Sequence, residues 1–227
     1  MAEGSNGGST SGSTSGIRDK LIAIKQAWAH SRRLLTGQTD PDHAQRLPPG
    51  QRLVTNWPVL DLGVKPDIDK SEWQLAVDGA VANPVLWDWA AFSAQPQIED
   101  LSDIHCVTQW SRFDNRWTGV ATTQLLSVVQ PLPGANVVVL HGADGYTTNV
   151  TLERFAGADC LIAHAHDGVP LSREHGGPVR AIIPRWYFWK SAKWLTRIEV
   201  LAVDKPGFWE LRGYHNDGDP WTEQRYS

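Results

Sequence analysis

Cys106, in the run Ile104-His105-Cys106-Val107-Thr108-Gln109-Trp110-Ser111, is one of only two cysteines in 227 residues, and its neighbours are polar and aromatic. A thiol so placed has three readings. It can be a small buried hydrophobe, as free cysteines commonly are. It can be a nucleophile, which then needs a base from among His105, His141, His164, His166 and His175. Or its thiolate can bind a soft or high-valent metal. Zinc would recruit His164 and His166, which share one face of a strand, yet no C-x-x-C or H-x-x-x-H spacing accompanies them. A second chemical run, Pro170-Leu171-Ser172-Arg173-Glu174-His175-Gly176-Gly177-Pro178-Val179-Arg180, is followed by Lys190-Ser191-Ala192-Lys193. Its two glycines permit close backbone approach, while His175, Arg180 and Lys193 carry donors suited to an anion such as phosphate. The competing reading is a solvated basic edge between two strands.

Several elements must hold these groups. Residues 1–16 are nearly all Gly, Ser, Thr and Asn, and read as a linker or tag. Residues 17–46 form an N-terminal helical arm and loop: Leu21, Ile22, Ile24, Lys25, Trp28, Arg32 and Leu35 lie on a helix over Ile17 to Thr36 whose apolar members recur at three- and four-residue steps. The main domain occupies 47–227. Arg52 to Leu60 is extended, Glu72 to Val81 alternates as a strand, and Trp87 to Phe92 reads as helix after the Asn83-Pro84 turn. Thr122 to Val129 is a short helix ended by Pro131. Val137 to His141 and Tyr146 to Leu152 flank Gly142-Ala143-Asp144-Gly145 as a hairpin. Leu161 to His166, Val179 to Ile183 and Trp194 to Val203 are further strands. Strands outnumber scattered helices, so the fold class is α+β, a strand-rich mixed-sheet domain.

Composition narrows the function. A net charge of −4 with intermixed signs supplies no broad basic surface, so nucleic acid is excluded as a partner. No apolar run approaches the roughly 18 residues of a membrane span, so no membrane insertion is expected. Localisation stays open between cytoplasm and periplasm, because a tag can replace an export signal. Twelve tryptophans are either core filling or, where exposed, a docking surface.

The segments HCVTQWSRFDNRWTGV, DGVPLSREHGGPVRAIIP and YFWKSAKWL resemble, in order and spacing, the molybdopterin-binding domain of the sulfite oxidase family, over most of residues 47 to 205. The similarity is to its small single-domain bacterial members. The resemblance implies a molybdenum oxidoreductase that moves an oxygen atom, with molybdenum and molybdopterin as cofactors. It implies that Cys106 is the protein ligand to the metal, beside the dithiolene sulfurs of the pterin. His175 and Arg180 match positions that hold the pterin and its phosphate, and Ser191, Ala192 and Lys193 match the loop that completes the grip. Thr55, Asn56, Trp57 and His141 match further cofactor contacts. Tyr146 matches a catalytic tyrosine beside the reacting oxygen.

The substrate implied is a small oxyanion or an oxygenated compound, with sulfoxide reduction as the alternative to a sulfite-oxidase-like reaction. Electrons would go to or come from an external partner such as a cytochrome or membrane subunit, since the chain carries no haem-binding motif. Two departures stand out. Gln109 occupies a position that is commonly glycine in the small members, where a bulky amide would enter the substrate pocket or displace a loop. Arg112, Arg116 and Arg185 are the nearest counterparts to the metal-site arginines of sulfite-specific members, without a one-to-one match. A metal-free, Trp-rich binding module and a cysteine hydrolase are the readings from other classes.

Overall fold

The computed structural model describes residues 12–31 and 45–227, without the side chains of residues 12–15 and 31. Residues 1–11 of the expected linker and the stretch 32–44, which holds the expected end of the helix and part of the loop, lie outside the described residues. In chain order the elements are α1 (Gly12–Ser31), β1 (Arg52–Leu53), β2 (Gln74–Gly79), β3 (Val85–Asp88), α2 (Trp89–Ser93), β4 (Gln97–His105) and β5 (Trp110–Ala121). There follow α3 (Thr122–Val129), β6 (Val137–Gly142), β7 (Thr147–Thr151), α4 (Leu152–Phe155), β8 (Leu161–His166), β9 (Val169–Pro170), β10 (Arg180–Ile182) and β11 (Leu195–Leu201). Short 3-10 turns cover Arg173–His175, Phe188–Lys190 and Glu210–Arg212.

Two sheets result. In one, β4 lies antiparallel along β5, while the other edge of β5 takes β1 at Trp110 and Ser111 and β8 from Trp117 to Ala121. The β8 strand in turn pairs with β10 and β9. The second sheet runs β3-β2-β11-β6-β7, antiparallel except for the parallel β2 and β11 pair. Its inner strands bury apolar side chains, many of them β-branched and well suited to a pleated surface: Leu75, Val77, Val138, Leu140, Ile198 and Val200 are all fully buried. With Trp73, Trp117, Phe92 and Tyr187 they join one core; each such side chain contributes roughly 1.5–3 kcal/mol of hydrophobic stabilisation.

The fold is the strand-rich α+β arrangement read from the sequence, with four local differences. The helix α1 begins at Gly12, inside the Gly/Ser-rich stretch. Trp87 and Asp88 belong to β3, where they pair with Leu75 and Gln74, and the helix starts only at Trp89. Asp88 makes that boundary: its carboxylate accepts the Ala91 N–H at 2.8 Å and caps the helix. The extended stretch from Arg52 pairs only through Leu53. Finally β4 and β5, nine and twelve residues long, flank Cys106 although no strand was expected there.

Candidate active site

Cys106 lies at the tip of the β4–β5 hairpin. Its carbonyl accepts the Gln109 N–H at 2.9 Å and its own N–H donates to Trp110 O at 2.8 Å. Gln109 closes the turn in the left-handed region, at φ 75°, a conformation that glycine adopts without steric cost. Gln109 is buried but does not line the pocket, so its amide does not intrude on the site. Two groups from distant parts of the chain hold the tip. Gln51 Nε2 donates to Cys106 O at 3.1 Å, and Arg225 Nη1 donates to Val107 O at 2.5 Å. The thiol itself is buried, 3.1 Å from Thr108 Oγ1, and faces a pocket. Burial pushes its pKa up, while Thr108 and the charges of Lys25 and Arg225 pull it back.

The same pocket takes its cationic wall from the 175–193 region. Arg180, only 2% exposed, donates through Nη1 to His175 O at 2.8 Å and through Nη2 to Ser191 O at 2.9 Å, with Phe188 4.3 Å beneath the guanidinium. Burial lowers its pKa to about 9. Lys193 Nζ donates to Glu174 O at 2.8 Å, and burial together with Arg180 lowers its pKa to about 7. Both cations therefore rest on carbonyls. The carboxylates on the pocket wall are Asp61 and Asp144, and burial raises the pKa of Asp144. The glycines have a packing role in the loop itself. A Cβ at Gly176 would stand 2.8 Å from Lys193 Cβ, so Gly176 lets this loop close on the Lys193 segment, while one at Gly177 would run into the Leu171 carbonyl, so Gly177 lets the loop fold back on itself.

Aromatic rings complete the enclosure. Trp57 stacks on His175 with ring centres 3.7 Å apart and planes within 10°, and burial lowers the His175 pKa to about 4. Trp110, Phe188, Trp189, Trp194, Trp209 and Tyr214 also line the pocket. Tyr146 lines it too, but its hydroxyl donates to Trp189 O at 2.6 Å, and burial holds the phenol far above its usual range.

The structure thus brings together Cys106, Tyr146, Trp57, His175, Arg180, Ser191 and Lys193. Ala192 is buried behind this wall, its carbonyl accepting from Ala181 N. Thr55 and Asn56 are exposed and outside the lining. His141 also stands apart from the pocket, 3.2 Å from Glu199 on the second sheet, which has taken up its ring nitrogen. The three arginines weighed as metal-site counterparts are engaged elsewhere, Arg112 with Asp167, Arg116 with Glu99 and Arg185 with Asp159. Sequence reasoning did not find Lys25, Asp61, Asp144, Gln51 or Arg225. Only Asp144 had a signal, its place in the Asp-Gly turn.

Among the described residues, no three His, Cys, Asp or Glu side chains gather as a metal cluster. A metal at Cys106 would therefore take one ligand from these residues and need the others from a cofactor. The donor set fits such a group, with a thiol on one wall, flat aromatic faces around it, and buried Arg180 and Lys193 lacking a carboxylate partner in their hydrogen bonds. A flat, anionic, metal-bearing cofactor satisfies all three.

Comparisons with known proteins agree. The family model described as "Oxidoreductase molybdopterin binding domain" matches residues 62–209. The oxidoreductase YuiH of Bacillus subtilis is 44% identical over 187 residues, covering 82% of this chain and 94% of that protein. The putative protein-methionine-sulfoxide reductase subunit YedZ1 of Azospira oryzae is 26% identical over 149 residues, 66% of this chain and 56% of that one. The crystal structure of the sulfane dehydrogenase SoxCD from Paracoccus pantotrophus superposes with a TM-score of 0.58 at 19% identity, covering 82% of this chain and 59% of that one; it speaks for the fold.

Proposed function

The chain belongs to the oxidoreductase molybdopterin-binding domain family, and from that premise we propose that it transfers an oxygen atom at a molybdenum centre bound through Cys106. The observation that carries the reading is the position of that thiol in one pocket with the buried cations Arg180 and Lys193. When bound, the molybdenum cofactor supplies a two-electron couple and the site of oxygen exchange.

The chain's own residues do the rest. Cys106, held by Gln51 and Arg225 through the backbone of its turn, presents sulfur as the metal ligand, and the positive charges nearby favour its thiolate. Arg180 and Lys193 balance the negative charge of the cofactor phosphate, with Ser191 beside them. Arg180 is oriented for this by two carbonyls before any ligand arrives. Trp57 and His175 give a stacked face for the pterin, and His175 is neutral at pH 7, so its ring can accept as well as donate. Tyr146 stands fixed at the wall with its phenolic proton on Trp189 O. Proton donation to a substrate oxygen then requires that bond to open.

The substrate is a small oxyanion or an oxygenated compound. Sulfite-like oxidation is the first reading, and reduction of a sulfoxide is the second, favoured by the named activity of the Azospira relative. Electrons pass to or from a separate protein. Exposed tryptophans give little for such docking, because only Trp28 and Trp221 of the twelve are exposed, and the same fact weakens a Trp-rich binding module. The hydrogen-bond partner of Cys106 Sγ is Thr108 Oγ1 rather than a histidine, so the structure offers a cysteine hydrolase no support. No described helix is long and apolar enough to cross a membrane.

The test is to purify the chain from a host that makes the cofactor, measure molybdenum and pterin per chain, and assay sulfite oxidation and sulfoxide reduction with artificial electron carriers. Metal and pterin in equal amounts with turnover of either substrate supports the reading. A folded chain without either cofactor component would sink it.

A further inference from the structure

The helix α1 lies outside the matched residues 62–209, yet it reaches the pocket. Leu21 seats over Gly63, Ala29 is 2% exposed, His30 stacks on Tyr226 with ring centres 4.0 Å apart, and Ile22 packs against the core. That seating turns Lys25 inward, where it lines the pocket together with Cys106, Asp144 and Lys193. Its ammonium donates to the backbone carbonyl of Asp61, which leaves further donors on the same nitrogen for a ligand. A lysine on the buried side of an amphipathic helix is costly unless something anionic meets it. Asp61 is shared with the Gly63 N–H and with Lys65, and Asp144 accepts from Tyr146 N, so the wall holds Lys25, Arg180 and Lys193 against two carboxylates already in use.

We propose that Lys25, carried into the pocket by α1, completes an anion-binding subsite with Lys193 for a phosphate-type or oxyanion group, making the helix a working part of the site. The ligand's identity rests on the molybdenum reading above. Two sources share this chemistry, the terminal phosphate of the cofactor and a small oxyanion substrate.

The experiment compares the full wild-type chain with Lys25→Met and Lys25→Arg, all purified from a cofactor-making host, with near-UV circular dichroism as the check on folding. Two quantities are read: molybdenum and pterin per chain, and the affinity for inorganic sulfate followed by tryptophan fluorescence, since tryptophans line the pocket. If the group is the cofactor phosphate, Lys25→Met lowers cofactor content about tenfold and Lys25→Arg restores it. If it is a substrate oxyanion, content is unchanged while sulfate binds about tenfold more weakly to the Met variant and normally to the Arg variant. Unchanged content and unchanged sulfate affinity overturn the proposal, as does an equal loss in both variants. Should Lys25→Met fail to fold, Lys25→Gln takes its place beside Lys25→Arg. A wild-type chain without molybdenum would count against the functional reading alone, because the sulfate comparison still decides the role of Lys25.

Discussion

The two cysteines are nearly matched in burial and opposed in surroundings. Cys106 is 6% exposed and Cys160 is not exposed at all, and burial raises both thiol pKa values, that of Cys160 to about 12. Their charged neighbours differ in balance, mixed in sign around Cys160 and positive around Cys106. Cys160 Sγ points at Arg154 O, 3.2 Å away; the Arg154 charge favours a thiolate, but Asp159 and Asp100 oppose it with negative charge. Cys106 sits at a hairpin tip beside Thr108, feels the positive charges of Lys25 and Arg225, and opens on a pocket. Burial therefore does not decide which thiol can act; the charge around it and the space in front of it do.

The largest effect should come from substituting each cysteine in turn. Cys106→Ser should lose more activity than the roughly 10- to 100-fold typical of residues outside the metal's own ligands. Cys160→Ser should keep its metal and turnover, with a stability cost of about 1 kcal/mol in chemical denaturation. Equal loss of turnover in both variants would erase the contrast. Next, Arg180→Met should cut cofactor content roughly ten- to hundredfold, the equivalent of one charge-assisted hydrogen bond, measured as pterin per chain. Arg180→Lys should not restore it, because an ammonium cannot hold the His175 and Ser191 carbonyls and a ligand with the geometry of a guanidinium.

Two pH effects are smaller. Sulfate keeps its charge near neutrality, so its affinity for cofactor-free chain should fall as pH rises through about 7, where Lys193 gives up its proton. A flat profile would mean that Lys193 does not face the anion. The histidines lower stability on the acid side. His166 and His175 have folded-state pKa values near 4, below the usual 6.5, so the unfolded chain binds more protons between those values and stability drops as pH falls from about 6.5 to 4. Thermal unfolding midpoints across that window check it, and His175→Gln should flatten part of the slope.

Legibility followed the apolar pattern. The hairpin of β6 and β7 was readable because β-branched residues run on either side of a clear turn signal, and β8 because its apolar residues run on into an alternation with histidines. The hairpin that carries Cys106 was not, because β4 and much of β5 are written in polar residues, among them Glu99, Asp100, Asp103, Arg112, Asp114 and Arg116, which mask the apolar alternation of a strand. Cys106, His175, Arg180 and Lys193 were named through their resemblance to a family and do share one pocket. His141, Thr55 and Asn56 do not line it, since proximity in sequence to matched segments says nothing about the direction of a side chain. Lys25 was visible only as one polar member of a helix, and nothing in the local sequence reveals that the helix docks on the pocket.

The most direct test of Cys106 as the metal ligand is molybdenum X-ray absorption on wild type, Cys106→Ser and Cys160→Ser. The sulfur shell should lose one scatterer in Cys106→Ser and none in Cys160→Ser. An unchanged shell in Cys106→Ser would contradict the assignment outright.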